Sequence, residues 1–328
     1  MIDYKKILII RLSSLGDVLL TTPLIKELAE KFPEMEIDFL VKPQFADAVR
    51  SNKHLHKVYE LDKSKNISVI LGSLVKNKYN LVIDLQNNFR SRAITSKLGV
   101  KVYRFKKPTI KKFLLVNFKW NRYKEIKTIP QMYAESIPGL NFNNSIPEIH
   151  IPDEIKSSVK HGIKFVGFAP GSKHFTKMWP EEFYVDLGKK LNNDGFTILL
   201  FGGKDDKELC KKLHDEIPNS INLGTEDNLL QIARDMKECS FVVCNDSGLM
   251  HTAVSVGTPV AAIFGSTVRE FGFYPYSNNS VIIENTDLNC RPCSHIGKDH
   301  CPKKHFKCML ELTPNLVYDK LKRFQETI

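Results

Sequence analysis

The sequence predicts an α/β protein of two doubly wound, Rossmann-like units, each a parallel sheet covered by helices on both faces, with a cleft between them. Three observations carry this expectation. Short apolar runs alternate with stretches of helical period from one end to the other. At 328 residues the chain is long enough for two cores of ordinary size. A polar, proline-containing stretch at 141–152 separates two such alternating halves, which sets the units at 1–150 and 151–328.

The first half opens on Ile7-Leu8-Ile9-Ile10, an unbroken apolar run that reads as a buried strand. A polar loop follows at 11–15, and Gly16-Asp17 then opens a helix-like stretch. Further strand-like runs stand at 37–41, 57–61, 81–85 and 100–105. In the second half, runs at 164–169, 197–201, 241–245 and 260–264 alternate with helical patterns at 181–191, 205–216, 227–238 and 248–256. A last helix at 314–326 fits on either unit. No run approaches the roughly 18 uninterrupted apolar residues of a membrane span, and residues 1–6 lead into the first strand without a signal-peptide pattern. The expectation is a cytosolic protein whose seven cysteines are reduced unless they hold a metal.

Charge is unevenly spread. Residues 1–150 hold 26 Lys+Arg against 14 Asp+Glu, a net of +12, and the remainder nets −1. The excess concentrates at 90–127, where thirteen basic residues face one acid, Glu125, and are interleaved with Tyr103, Phe105, Phe113, Phe118, Trp120 and Tyr123. Such a segment suits a phosphate-bearing partner, either nucleic acid or an anionic membrane surface. A solvated helical face with core aromatics is the structural alternative.

Asp17 places a carboxylate at the C-terminal end of the first strand, the edge of an open α/β sheet where ligands bind. It reads equally as a helix N-cap. Three strand-end turns of the second half have phosphate-binding chemistry. Pro170-Gly171-Ser172 is followed by Lys177-Met178-Trp179-Pro180, Gly202-Gly203-Lys204-Asp205-Asp206 comes next, and Asp246-Ser247-Gly248-Leu249-Met250-His251 opens a helix. Glycine lets backbone approach a ligand, Ser172 can donate, Lys177 supplies a cation, and a helix N-terminus suits a pyrophosphate. Three such turns in one unit favour a nucleotide site there. Neither a G-x-G-x-x-G fingerprint nor a P-loop is present, which argues against a dehydrogenase or a kinase-like phosphotransferase. His251 reads either as a nucleotide ligand or as a histidine packed one turn into its helix. Cys210, Cys239 and Cys244 read as isolated, buried thiols. Cys290, Cys293, Cys301 and Cys308 form C-x2-C-x7-C-x6-C with three histidines among them, a pattern open to a structural zinc site, free thiols or disulfides.

Ser13-Ser14-Leu15-Gly16-Asp17-Val18-Leu19, Pro170-Gly171-Ser172 with Lys177-x-Trp179-Pro180, and Asn245-Asp246-Ser247-Gly248-Leu249-Met250-His251 together resemble the bacterial heptosyltransferase family, glycosyltransferase family nine. The resemblance covers nearly the whole chain. It implies a GT-B fold, with the acceptor on the N-terminal domain and the donor nucleotide on the C-terminal one, and inverting transfer of heptose from ADP-heptose to Kdo-lipid A or heptosyl-Kdo-lipid A. It assigns Asp17 as catalytic base and Gly171, Ser172, Lys177, Asp206, Asp246, Ser247, Gly248, Leu249 and His251 to the donor. Ser14, Gly16 and Arg90 fall on the acceptor side. A similar cysteine cluster occurs in many members but not all, so it is not expected to be catalytic. No carboxylate pair of the D-x-D kind sits where it would hold a divalent ion, so no catalytic metal or cofactor is expected. The implied partners are ADP-heptose, the lipid A-Kdo acceptor and the anionic inner-leaflet surface, without nucleic acid, and the implied location is cytoplasmic, peripheral at the inner face of the inner membrane. The rival readings are a GT-B enzyme using another nucleotide sugar, or a nucleic-acid-binding protein.

Overall fold

The run at 7–10 forms a strand because all four of its side chains are buried and a central parallel strand needs apolar residues on both faces. In the computed structural model, which describes residues 5–62, 67–160, 162–224 and 227–328, this strand is β1 (Lys6–Ile10). Residues 1–4, part of the N-terminal stretch read above, lie outside the described residues. In chain order β1 is followed by α1 (Leu15–Leu19), α2 (Thr22–Lys31), β2 (Glu36–Val41), β3 (Lys57–Glu60), α3 (Ile67–Lys76), β4 (Leu81–Asp84), α4 (Phe89–Leu98), β5 (Lys101–Arg104), α5 (Thr109–Phe118) and α6 (Ile129–Ala134). The five strands form one parallel sheet in the order β3-β2-β1-β4-β5.

The second sheet is also parallel and has six strands. Its chain order is β6 (Phe165–Ala169), α7 (Glu181–Asn193), β7 (Thr197–Leu200), α8 (Lys207–Glu216), β8 (Ser220–Asn222), α9 (Leu229–Met236), β9 (Cys239–Asn245), α10 (Gly248–Ser255), β10 (Val260–Phe264), β11 (Ser280–Glu284), α11 (Lys307–Leu310) and α12 (Pro314–Gln325). The strand order is β11-β10-β9-β6-β7-β8. One apolar layer joins Leu187 and Leu191 of α7 to Val317, Leu321 and Phe324 of α12, so the last helix packs on this sheet. A second layer, on α9 and α10, includes Ile232, Met236, Met250, Ala253 and Val254.

The chain divides into two compact units, Met1–Lys107 with Lys127–Pro152, and Pro108–Ile126 with Asp153–Ile328. A single boundary at 150 therefore misplaces 108–126. That segment is tied to the second unit because Lys119 Nζ donates to the carbonyls of Cys290 (3.1 Å) and Pro292 (2.6 Å), while Asn121 Nδ2 donates to Glu270 (3.0 Å). The basic stretch 90–127 is accordingly split between the two units. Among the described residues no helix is long and apolar enough to cross a membrane.

Candidate active site

In the first sheet the strand order reverses between β1 and β4, and the crevice outside the carboxyl ends of such a pair is where open α/β sheets bind ligands. The loop after β1 is held there by Gln86, at the end of β4, whose Oε1 accepts the N–H groups of Leu12 (2.8 Å) and Ser13 (3.2 Å). Ser14 is the N-cap of α1, and Asp17 is the third helical residue rather than the cap. Asp17 Oδ2 accepts from Ser14 N–H (3.2 Å) and Ser14 Oγ–H (2.8 Å), the reciprocal half of a capping box. The N-cap expectation is thus corrected to a neighbouring role, one that leaves the carboxylate at the switch point.

The other carboxylate oxygen meets Arg11 Nη2 at 2.6 Å and the Tyr133 hydroxyl at 3.4 Å. Arg11 is itself buried, donates Nη1 to the Leu85 carbonyl at 2.7 Å, and lies 5.7 Å from the centre of the Tyr133 ring. Burial works to raise the Asp17 carboxyl. The Arg11 guanidinium and the two Ser14 bonds outweigh it and hold the group below its ordinary value. Tyr133 is pushed far up, by burial first and Asp17 next, so its hydroxyl stays protonated and donates. A depressed carboxyl contributes stability above its unfolded-state value, and that contribution fades as pH falls through the folded-state one. Arg11→Gln removes the main opposing charge, so the acid limb of the pH–rate profile should move to higher pH. The same change should cost about 3 kcal/mol in denaturant unfolding, the loss expected when one partner of a buried pair is removed.

The acceptor-side residues differ in freedom. Buried Asp84 accepts from Asn87 N–H (2.8 Å) and Ser91 Oγ (2.9 Å) and so pins the start of α4. Arg92 donates to Asn87 Oδ1 (3.0 Å). Arg90 has no hydrogen-bond or ion-pair partner among the described residues and follows Phe89, which is 91% exposed. Gly16 is buried in the first turn of α1, and Ser14 is exposed.

In the second sheet the order reverses between β9 and β6, and the three phosphate-type turns follow the adjacent strands β9, β6 and β7. Asn245 joins two of them. Its Nδ2 donates to the Pro170 carbonyl (2.5 Å), and its Oδ1 accepts the Trp179 N–H (3.1 Å). A Cβ at Gly171 would lie 2.1 Å from Asp206 Oδ1, so any side chain there would displace the Asp206 carboxylate. Asp206 Oδ2 accepts the Gly203 N–H at 2.9 Å, and burial raises its carboxyl. Lys177 ends a 3₁₀ turn and pairs with Asp246 Oδ2 at 2.7 Å, an oxygen that also accepts from Thr267 Oγ1 at 2.6 Å. Ser172 Oγ donates to the Asp246 carbonyl at 3.3 Å.

Ser247 is the N-cap of α10, yet its hydroxyl caps nothing and has no partner. The buried hydroxyl of Ser266, just past β10, is equally without a partner. Two unsatisfied hydroxyls and an open helix N-terminus beside a lysine form a wall equipped for an anion. Gly248 begins α10, Leu249 packs partly into the apolar layer beneath, and His251 is 3% exposed inside the helix.

Thr267, Tyr133 and Arg291 were not singled out in the sequence, and Asn245 was named there only as part of a motif, without a role. Arg291 follows Cys290 and donates to the carbonyls of Gly265 (2.5 Å), Thr267 (2.9 Å) and Asn285, and to Glu284 (2.6 Å), which anchors the cysteine-rich loop beside the Asp246 pocket. Cys210, Cys239 and Cys244 are buried. Cys290, Cys293, Cys301 and Cys308 are free thiols, and no group of three or more His, Cys, Asp or Glu among the described residues is arranged to hold a metal. Cys308 sits in the apolar layer with Met309 and Leu312, where burial pushes its thiol up to about 12, and Cys290 Sγ lies 3.7 Å from His305 Nε2.

With this geometry in place, likeness to known proteins becomes informative. Lipooligosaccharide heptosyltransferase 2 of Haemophilus influenzae is 25% identical over 350 residues, covering 96% of this chain and 98% of that protein. Two solved structures share the fold. A family 9 glycosyl transferase from Veillonella parvula has a TM-score of 0.80 at 21% identity, covering 100% of this chain and 99% of its own. The ADP-heptose lps heptosyltransferase II of E. coli has a TM-score of 0.75 at 21% identity, covering 98% and 99%. The family model for glycosyltransferase family 9 (heptosyltransferase) matches residues 69–304, well over half the chain and all of the anion-equipped wall, and this glycosyltransferase belongs to that family.

Proposed function

We propose that the protein transfers heptose from ADP-heptose to the inner core of lipopolysaccharide, with a Kdo-bearing lipid A as acceptor and inversion at the anomeric carbon. The observation that carries the donor half is the wall at Lys177, Ser247 and the α10 N-terminus, which offers a cation, a partnerless hydroxyl and open backbone donors to a diphosphate. A carboxylate repels phosphate and accepts from hydroxyls, so Asp246 serves the sugar while it holds Lys177 in place.

Asp17 is the general base. Four donors from three residues already surround its oxygens, and the Ser14 hydroxyl is the one most easily displaced, because Ser14 is exposed and its O–H rotates. An acceptor hydroxyl takes that position and gives its proton to the carboxylate as its oxygen bonds to the anomeric carbon. The bond from that carbon to the ADP oxygen breaks, ADP leaves with the electron pair, and Lys177 with the α10 amides receives the charge. One displacement inverts the centre. Arg90 binds an acidic group of the acceptor, for which its unengaged guanidinium is suited. The lipid-anchored acceptor places the enzyme at the cytoplasmic face of the inner membrane as a peripheral protein.

The test is product analysis. Incubation with ADP-heptose and Kdo-lipid A should yield one heptosylated product with inverted anomeric configuration. Transfer from a different nucleotide sugar, with none from ADP-heptose, would overturn the reading.

A further inference from the structure

Helix α5 turns the usual amphipathic arrangement inside out. Only Leu115 of its ten residues is fully buried, while Ile110 is 75% exposed, Phe113 56%, Phe118 54% and, just beyond the helix, Trp120 57%. These rings touch one another rather than the core. Phe113 and Phe118 stand edge to face at 5.9 Å between centroids, and Phe118 and Trp120 lie 5.6 Å apart. A contiguous exposed apolar patch on a folded protein marks an interaction surface.

The chemistry around the patch says which kind. Lys111, Arg122 and Lys124 are exposed beside it, and Glu125 is the one acid at 90–127. The Arg122 guanidinium lies 6.0 Å from the Trp120 ring, and the Lys111 ammonium 5.6 Å from the Tyr123 ring. The platform is also fixed. Lys119, in the midst of these cations, is turned inward and spent on the carbonyls of Val116, Cys290 and Pro292. Lys112 is turned the same way, its ammonium 5.6 Å from the Phe271 ring and 5.5 Å from the Phe273 ring, so the sorting is by role, with Lys112 and Lys119 anchoring the segment and Lys111, Arg122 and Lys124 facing solvent with the aromatics.

We propose that α5 with Phe118 and Trp120 is a membrane-docking face that seats its aromatic rings in the headgroup region of an anionic bilayer while Lys111, Arg122 and Lys124 bind lipid phosphates. Tryptophan and phenylalanine are suited to the bilayer interface, and apolar seating combined with cationic attraction is what holds a helix in the interfacial plane. This deepens the proposed function, since a lipid-anchored acceptor calls for such a face, but the binding is measured without any acceptor.

The chain has two tryptophans, and Trp179 is 2% exposed, so a vesicle-induced change in fluorescence reports Trp120. Adding vesicles of phosphatidylcholine with phosphatidylglycerol should shift the emission of the full-length protein to the blue. Trp120→Phe should abolish the shift, and pure phosphatidylcholine should give little. In co-sedimentation with the anionic vesicles at low salt, Lys111→Ser, Arg122→Ser and Lys124→Ser should each weaken binding about fivefold. Transfer to a soluble, de-acylated acceptor should be unchanged in all of these variants. An absent blue shift in the wild type overturns the proposal without relying on any variant's folding. So does tighter binding to duplex DNA than to vesicles, lost in the same variants, or loss in those variants of a transfer to the soluble acceptor that the wild type performs. Vesicle binding without heptosyl transfer would sink the proposed function and leave the docking face standing.

Discussion

Asp17→Asn should lower kcat by about 10²- to 10⁴-fold, the usual worth of a positioned general base, while the affinity for ADP stays at the wild-type level. The substitution keeps the side chain's size and one acceptor oxygen, so the Ser14 end of the capping box survives. What it removes is the charge that pairs with Arg11 and the site that takes the proton. The Arg11 pairing has a chemical cost as well as a structural use. A base held below its ordinary value accepts a proton less readily, yet it is fully ionised at neutral pH and oriented by four donors. The acid limb of the wild-type profile should accordingly lie below the usual carboxylate range. Because Asp17→Asn also leaves Arg11 buried without its counter-charge, a thermal melt should show destabilisation. Loss of kcat with unchanged ADP binding separates the catalytic effect from that one. Wild-type turnover by the Asn variant would remove Asp17 from the mechanism.

What the chain discloses before folding follows the physics of each feature. Central parallel strands must be apolar on both faces, so β1, β6 and β10 are visible as unbroken runs. The edge strands β8, of Ser-Ile-Asn, and β11 need no such run and were not anticipated. Asp17 is legible as a strand-end carboxylate because β1 and α1 are local. Its partner Tyr133 arrives from 116 residues away, with nothing in the intervening pattern to announce it. The membership of 108–126 in the second unit rests on Lys119 and Asn121 finding acceptors at Cys290, Pro292 and Glu270, and surface-type residues carry no sequence mark of that purpose. Asn245 lies inside a recognised motif, but the role of stitching two turns together appears only when β9 and β6 are neighbours.

Lys177→Ala should reduce kcat by about 10²- to 10³-fold, comparable to losing one preorganised charge donor at a developing anion, and should weaken ADP binding as well. Two effects compound here. The leaving diphosphate loses a cation, and Asp246, 7% exposed and normally 2.7 Å from the ammonium, is left as an uncompensated negative charge in the same pocket. Thr267 still donates to Asp246, so the carboxylate stays in place and its repulsion is not relieved by movement. The two effects separate in a double variant. Lys177→Ala with Asp246→Asn removes the unpaired charge, so ADP affinity should recover toward wild type by isothermal titration while kcat stays low, because no cation meets the departing phosphate. If Lys177 served only to neutralise Asp246, the double variant would recover turnover and affinity together. If Asp246 did not repel the diphosphate, the second substitution would leave ADP affinity where Lys177→Ala put it. Recovery of affinity without turnover therefore distinguishes a lysine that acts on the leaving group from one that merely balances a buried carboxylate.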